Sequence, residues 1–402
     1  MRTLDRKLLR ELGQIKAQAL AIALVVASGI GAFVAMASTW ASLERTRADY
    51  YAKSRFGDVF ATLKRAPLPV ADAIAALPDV QEVEARVLAV VDVDVEGFAE
   101  PVRGTILSLP DGGRPRLNDL HLRRGRWPAP ERSAEVLVHE AFAEAHGLEP
   151  GDGVEALING RLQRLEIVGV VLSAEFVYQV TPGTIFPDDA RNGVFWMNER
   201  ALARAYDMEG AFNDVVVRLA RGARPEPTIA AIDRLLQPWG GVGAVSRADQ
   251  GSDRMLTEEL RGLQSQAVII PAIFLGVAAF LLQLVLGRIV AGQREVIAVL
   301  KALGYRTRTV GLHYLKLVAI VCLAGGALGG IAGVVLGRLL VSVYQPFFRF
   351  PDLRFHLQGG VLLGGLAIAV GAGVIATVGS VRRVVRLPPA EAMKPPAPAT
   401  FR

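Results

Sequence analysis

Cysteine is nearly missing from these 402 residues. Cys322 stands alone inside an apolar run, so no disulfide can form within the chain and any domain outside the cytoplasm must stand on its own core. Histidine is scarce too, at five scattered residues, which with one Cys leaves no zinc cluster; no metal site is expected. Aromatics make up 7% and charged residues 21%, against 51% hydrophobic. There is no G-x-x-x-x-G-K-[ST] string to cradle a nucleotide's phosphates, so the chain has no ATPase loop of its own. A G-x-S-x-G nucleophile elbow and an S-x-x-K set are lacking as well. His139, Glu140, Glu144 and His146 lie close together, but position 143 is Ala where H-E-x-x-H needs its second His, so they read as a solvated helix face. Asp92, Asp94 and Glu96 lack the twelve-residue spacing of a calcium loop and read as the wet face of a strand. No catalytic residues emerge, and no enzyme is expected.

What is present is long apolar sequence. The mean hydropathy is +0.34, and four runs free of charge are long enough to span about 30 Å of hydrocarbon: 17–43, 262–287, 317–337 and 357–381. The first resembles a signal peptide with an Ala35-Met36-Ala37 cleavage site, yet it exceeds the usual 7–15-residue apolar core, so it reads as a retained span. Residues 1–16 before it place Leu4, Leu8, Leu12 and Ile15 on one face, which predicts an amphipathic elbow helix in the interface. The net charge of +6 gathers beside the spans rather than along one polar face, which argues against nucleic acid. Residues 1–16 hold five Lys or Arg, the 288–316 loop six and the 382–402 tail five, against three in the 338–356 loop. That asymmetry places both termini in the cytoplasm and residues 44–261 outside. The fold expected is a multi-pass membrane protein with four transmembrane α-helices and a mixed α+β extracytoplasmic domain inserted between helices 1 and 2.

Within 44–261, alternation from Val83 to Val95 predicts one half-buried strand, and Asn159-Gly160 between apolar runs predicts a hairpin. In the spans, Gly325, Gly329, Gly333 and Gly337 recur every four residues, a smooth strip for close packing either within one subunit or between two. No Asp, Glu, Lys or Arg lies inside a span, which argues against a proton- or ion-driven carrier. The cytoplasmic loop 288–316 places Ile289, Val296, Leu300 and Leu303 at helical spacing, with Arg294, Glu295 and Lys301 exposed and Gly304 ending the helix. A solvated connector and a docking helix both fit that pattern.

The loop string Gln293-Arg-Glu-Val-Ile-Ala-Val-Leu-Lys-Ala-Leu-Gly-Tyr305 resembles the signature loop of FtsX/MacB-type ABC transporter permeases, in the expected place after the second span. The tail Arg386 to Met393 is similar to the end of that module, and Glu135 through Val171 resembles the family's periplasmic domain. The chain looks most like the N-terminal half of long, duplicated permeases; with no repeat inside it, a half, a split version and a half-size permease all stay open. The resemblance implies a permease subunit in the inner (plasma) membrane, with ATP bound by a separate cytoplasmic ABC ATPase and no cofactor in this chain. Gln293, Arg294, Glu295, Lys301 and Gly304 would then form or cap the coupling contact. A second permease unit (homo- or heterodimer), a periplasmic adaptor and membrane lipid are the other implied partners. The work implied is export or extraction of a hydrophobic cargo such as a lipid, lipoprotein or amphiphile. The alternatives are regulation of cell-wall hydrolases or sensing of a peptide or antibiotic. Single cysteines introduced within 290–305 and within 100–200 should react with membrane-impermeant thiol reagents from opposite faces; reaction from the same face would overturn the topology.

Overall fold

Four long helices dominate the computed structural model, which describes residues 3–95, 98, 102–179 and 188–385. In chain order the elements begin with α1 (Thr3–Gln14), α2 (Lys16–Lys53), β1 (Val59–Pro67), α3 (Leu68–Ala75), β2 (Val80–Arg86), β3 (Leu88–Asp94), β4 (Val102–Leu109) and β5 (His121–Gly125). Next come β6 (Glu135–His139), α4 (Glu140–His146), β7 (Gly153–Ile158), β8 (Arg161–Leu172), β9 (Asn192–Asn198), α5 (Glu199–Ala205), β10 (Ala211–Leu219), α6 (Pro225–Leu236) and β11 (Val245–Ser246). The chain then closes with α7 (Gly251–Gly292), α8 (Arg294–Ala302), α9 (Thr307–Tyr344) and α10 (Gly359–Val385). Two units divide these elements: Met1–Leu43, Arg261–Ser342 and Arg354–Arg402 form one, and Glu44–Leu260 with Val343–Leu353 the other.

Four helices among the described residues are long and apolar enough to cross a membrane, Lys16–Lys53, Gly251–Ile289, Thr307–Tyr344 and Gly359–Gly379, and each lies wholly or mostly in the first unit. In lipid there is no hydrophobic drive between such helices, so small residues that let backbones approach decide their packing. The α9 glycines do this against α2. A Cβ at Gly325 would lie 2.6 Å from the Ala23 carbonyl oxygen, one at Gly329 2.5 Å from that of Ala27, and one at Gly333 2.7 Å from that of Gly31. Gly337 faces Ala35 at 3.4 Å and the Phe355 ring at 2.8 Å. The strip is thus an intrachain contact, met on α2 by Ala23, Ala27, Gly31 and Ala35 at the same four-residue spacing. On α1, Leu8 is buried and Leu12 and Ile15 pack against the same core, while the Leu4 side chain lies outside the described residues.

Among the described residues the second unit holds two sheets. The smaller is antiparallel, in the order β11-β1-β10-β2, and α3 and α6 cover it through Ile74, Ile232 and Leu236. The larger runs β5-β8-β6-β9-β4-β3-β7, and β7 also pairs with β8. Six of its strands therefore close a ring around Val93, Ile106, Val138, Phe142 and Phe195, leaving no free edge among them. The hairpin at Asn159-Gly160 joins β7 to β8 with φ of 45° and 75°, the left-handed pair of a type I′ turn.

The single strand expected over 83–95 is two strands in different sheets. Alternation continues across Val87, but buried polar groups set the break. The Val87 N–H donates to Ser108 Oγ at 2.9 Å, and Glu84 and Arg86 on β2 point inward. Glu84 accepts the Leu117 N–H at 2.6 Å. Arg86 pairs with its cross-strand neighbour Asp214 (Nε to Oδ2, 2.7 Å) and takes Glu175, in the turn after β8, through both terminal nitrogens at 2.6 and 2.9 Å. Burial pushes the Asp214 carboxyl above its ordinary range even though Arg86 pulls it down. Two carboxylates share one guanidinium here, so the cation is what permits both to be buried. Within the 338–356 stretch, expected as a short outer loop, residues 343–353 are part of this unit. The Arg349 N–H donates to the Val177 carbonyl at 2.8 Å, its guanidinium bridges Glu144 and Asp189, and Arg123 donates to the Phe350 carbonyl at 3.1 Å.

Arg86→Met should destabilise the chain by about 3–5 kcal/mol, because Glu175 and Asp214 lose their counter-charge. Adding Glu175→Gln and Asp214→Asn should recover most of it, measured by urea unfolding followed by near-UV circular dichroism. Gly329→Leu should cost ~1–3 kcal/mol through overpacking against α2, whereas Gly371→Leu, with nothing within 4 Å of its Cβ, should be neutral in thermal melts.

Candidate coupling site

The α7 helix stops at Gly292 because Gln293 leaves helical geometry, with φ −105° and ψ 20°, and α8 starts one residue later. It ends in a Schellman-type cap. Gly304 takes a left-handed φ of 92° and donates to the Lys301 carbonyl at 3.0 Å, and Tyr305 donates back to Leu300 at 3.1 Å. Gly is needed here because a Cβ strains that φ. Glu295 in the first turn and Lys301 in the last suit the helix dipole.

Which face turns inward differs from the sequence expectation. Ile297 and Ala298 are buried, and Ile297 packs with Val310, Tyr314 and Val381 beside Ile289, Leu300 and Tyr305. Val296, Val299 and Leu303 are instead 43%, 50% and 72% exposed. The spacing from Ile289 to Val296 spans the break at Gln293, so those two residues do not share one helical face. The result is an uncovered apolar row, three and four residues apart, on a polar-flanked helix.

The expected coupling residues fall into two groups. Glu295 is exposed, Lys301 half-buried and Gly304 exposed past the cap, so these three lie on or beside the open part of α8. The Arg294 side chain is outside the described residues. Gln293 is not a surface residue: it is half-buried, and its Oε1 accepts from Lys7 Nζ of α1 and from the Tyr314 hydroxyl of α9, both at 2.8 Å. The glycine strip is elsewhere, on the α2 contact. Sequence reasoning missed Lys7, Glu11, His313 and Tyr314; the only hint was Glu11 falling near the apolar face of α1.

In the other unit, the cluster read as a solvated helix face is engaged. His139 is fully buried at the start of α4, where its Nδ1 accepts the Ala141 N–H at 3.3 Å, and burial drives its pKa down to about 3. Glu140 pairs with Arg123 at 3.0 Å, Glu144 with Arg349, and His146 Nε2 meets the Ala190 carbonyl at 2.8 Å. Each has its own partner, so they do not converge on one point. Asp92 and Asp94 are exposed on β3, while Glu96 and the tail motif from Arg386 to Met393 lie outside the described residues.

Two family models match the sequence: the FtsX-like permease C-terminal over residues 268–389 and the MacB-like periplasmic core domain over residues 19–235. No curated protein matches it. Among solved structures, the chain is similar to the extracellular domain of the noncanonic ABC-type transporter YknZ from Gram-positive bacteria. The identity is 14%, the TM-score 0.31, and the match covers 46% of this chain and 97% of that one. It is also similar to the periplasmic region of MacB from Actinobacillus actinomycetemcomitans, with 10% identity, a TM-score of 0.31, and 54% and 97% covered. A domain of a putative permease from Porphyromonas gingivalis matches with 14% identity, a TM-score of 0.28, and 47% and 89% covered. Four apolar helices, a mixed α/β domain between the first and second, and both family models covering their respective parts place this multi-pass membrane protein in the FtsX/MacB-type ABC permease family.

Proposed function

We propose that this chain is a permease subunit that couples ATP hydrolysis by a separate cytoplasmic ABC ATPase to export or extraction of a hydrophobic cargo at the outer face of the inner (plasma) membrane. Members of the family are typically non-enzymatic transmembrane subunits, and membership implies a partner ATPase. The observation that carries the reading is the uncovered row Val296, Val299 and Leu303 on α8. An apolar row of this kind fits the helix-in-groove mode of docking, where anchors recur at i, i+3 and i+7. Glu295 and Lys301, and Arg294 with them, would supply the polar rim; Gly304 and Gln293 would fix where the helix ends. Both termini are cytoplasmic in this reading, following the Lys/Arg asymmetry.

Charge-free span interiors favour transmission of movement over carriage of an ion through the membrane. ATP-driven approach of the ATPases would move α8, then the long helices, then the outer domain, where the cargo is handled. A second permease unit, and an adaptor at the outer face, complete the assembly. Lipids, lipoproteins and amphiphiles are the cargo class that such a machine can take without an aqueous path.

Val299→Asp combined with Leu303→Asp should weaken association with the cognate ATPase at least tenfold in pull-downs from membranes, with expression unchanged. Reversal of Arg294 and Glu295 should weaken it less. ATPase binding unaffected by both changes would remove α8 as the docking element.

A further inference from the structure

Glu11 is a buried acid that the exposed row of α8 does not use. It is 5% exposed on α1, whose Arg6 and Arg10 face outward. Its Oε2 lies 2.8 Å from Nε2 of His313 on α9, itself 5% exposed, and its other oxygen takes the Lys7 ammonium from one turn earlier. Burial alone would raise the Glu11 pKa, but hydrogen bonds from His313, Lys7 and Gln293 hold it down to about 2, so the group is charged at neutral pH.

A buried carboxylate needs partners, but one cation would suffice to keep α1 in place. Here the network goes further. The Lys7 ammonium that Glu11 holds also donates to Gln293 Oε1 at 2.8 Å, and the same oxygen accepts the Tyr314 hydroxyl at 2.8 Å. Gln293 is the residue at which α7 ends and α8 begins, and Tyr314 is fully buried against Ile297 of α8. Helices α1, α8 and α9 therefore meet at one side-chain oxygen, and the charge that keeps Lys7 aimed at it is Glu11.

We propose that Glu11 is the positioning residue of α8: by aiming Lys7 at Gln293 and tying α1 to His313, it fixes the direction in which α8 leaves α7. The amphipathic elbow is then an element that moves with α8 rather than a passive anchor. That this direction serves coupling rests on the function proposed above; the positioning itself does not.

The test uses the full chain in lipid nanodiscs with no ATPase present and Cys322→Ala as background. A nitroxide is attached at Ala302→Cys, in the exposed last turn of α8, and in a second sample at Arg161→Cys in the outer hairpin. Glu11→Ala should raise the mobile fraction of the spectrum at position 302 at least threefold and leave position 161 unchanged. Lys7→Met, which spares the Glu11–His313 pair and removes the ammonium that joins Glu11 on its own helix to Gln293, should raise it at least twofold. A merely structural hold on α1 would not respond to Lys7→Met. If Glu11→Ala also loosens position 161, Lys7→Met alone decides; an unmoved spectrum at 302 in that variant overturns the proposal. Failure of ATPase docking in the earlier test would leave this result standing, and an unmoved label here would leave docking standing.

Discussion

Backbone touching backbone, α2 against α9, is the constraint on which the membrane unit depends. Lipid tails are as apolar as leucine, so burying leucine gains little between spans, and close van der Waals contact must do the holding. Four small residues on each helix, in matching steps of four, bring the chains near enough for a glycine Cβ to have no room. With α2 and α9 locked, the start of α9 is fixed relative to α1, and His313 and Tyr314 sit there. The polar network under α8 is thus built on a foundation that contains no polar side chain.

The outer unit solves the opposite problem. It lies in water without a disulfide, so it depends on closed pairing and paired charge. The six-stranded ring removes free edges. Arg86 draws a strand of the small sheet and the turn after β8 of the large one onto the same cation. Breaking it would leave two carboxylates in a dry place, which is why one residue carries so much of the unit's integrity.

Much of this was readable from residues alone, where local chemistry decides. Charge-free runs marked the spans, Asn159-Gly160 marked its hairpin, and the loop after the second span pointed to the family. The failures share a cause: each depended on contacts far apart in the chain. Alternation over Val83–Val95 could not reveal that Arg86 and Ser108 divide the stretch between two sheets. Helical spacing from Ile289 to Val296 assumed one straight helix, and the break at Gln293 turned the apolar face elsewhere. Glu11 and His313 are 302 positions apart, beyond any pattern that a window can detect. The glycine strip was visible on α9, but its small-residue counterpart on α2 had to be seen to show that the contact is internal.

The placement of residues 343–353 has a consequence for how the outer unit is cut out. A fragment running only from 44 to 260 would lack one of its own pieces. Without Arg349, Glu144 and Asp189 lose their shared cation, the Val177 carbonyl loses its donor, and Tyr50 loses the Phe350 ring packed edge-on against it. Such a fragment exposes a raw seam that the whole chain never shows to water, and any stickiness measured there would belong to the scissors rather than to the protein.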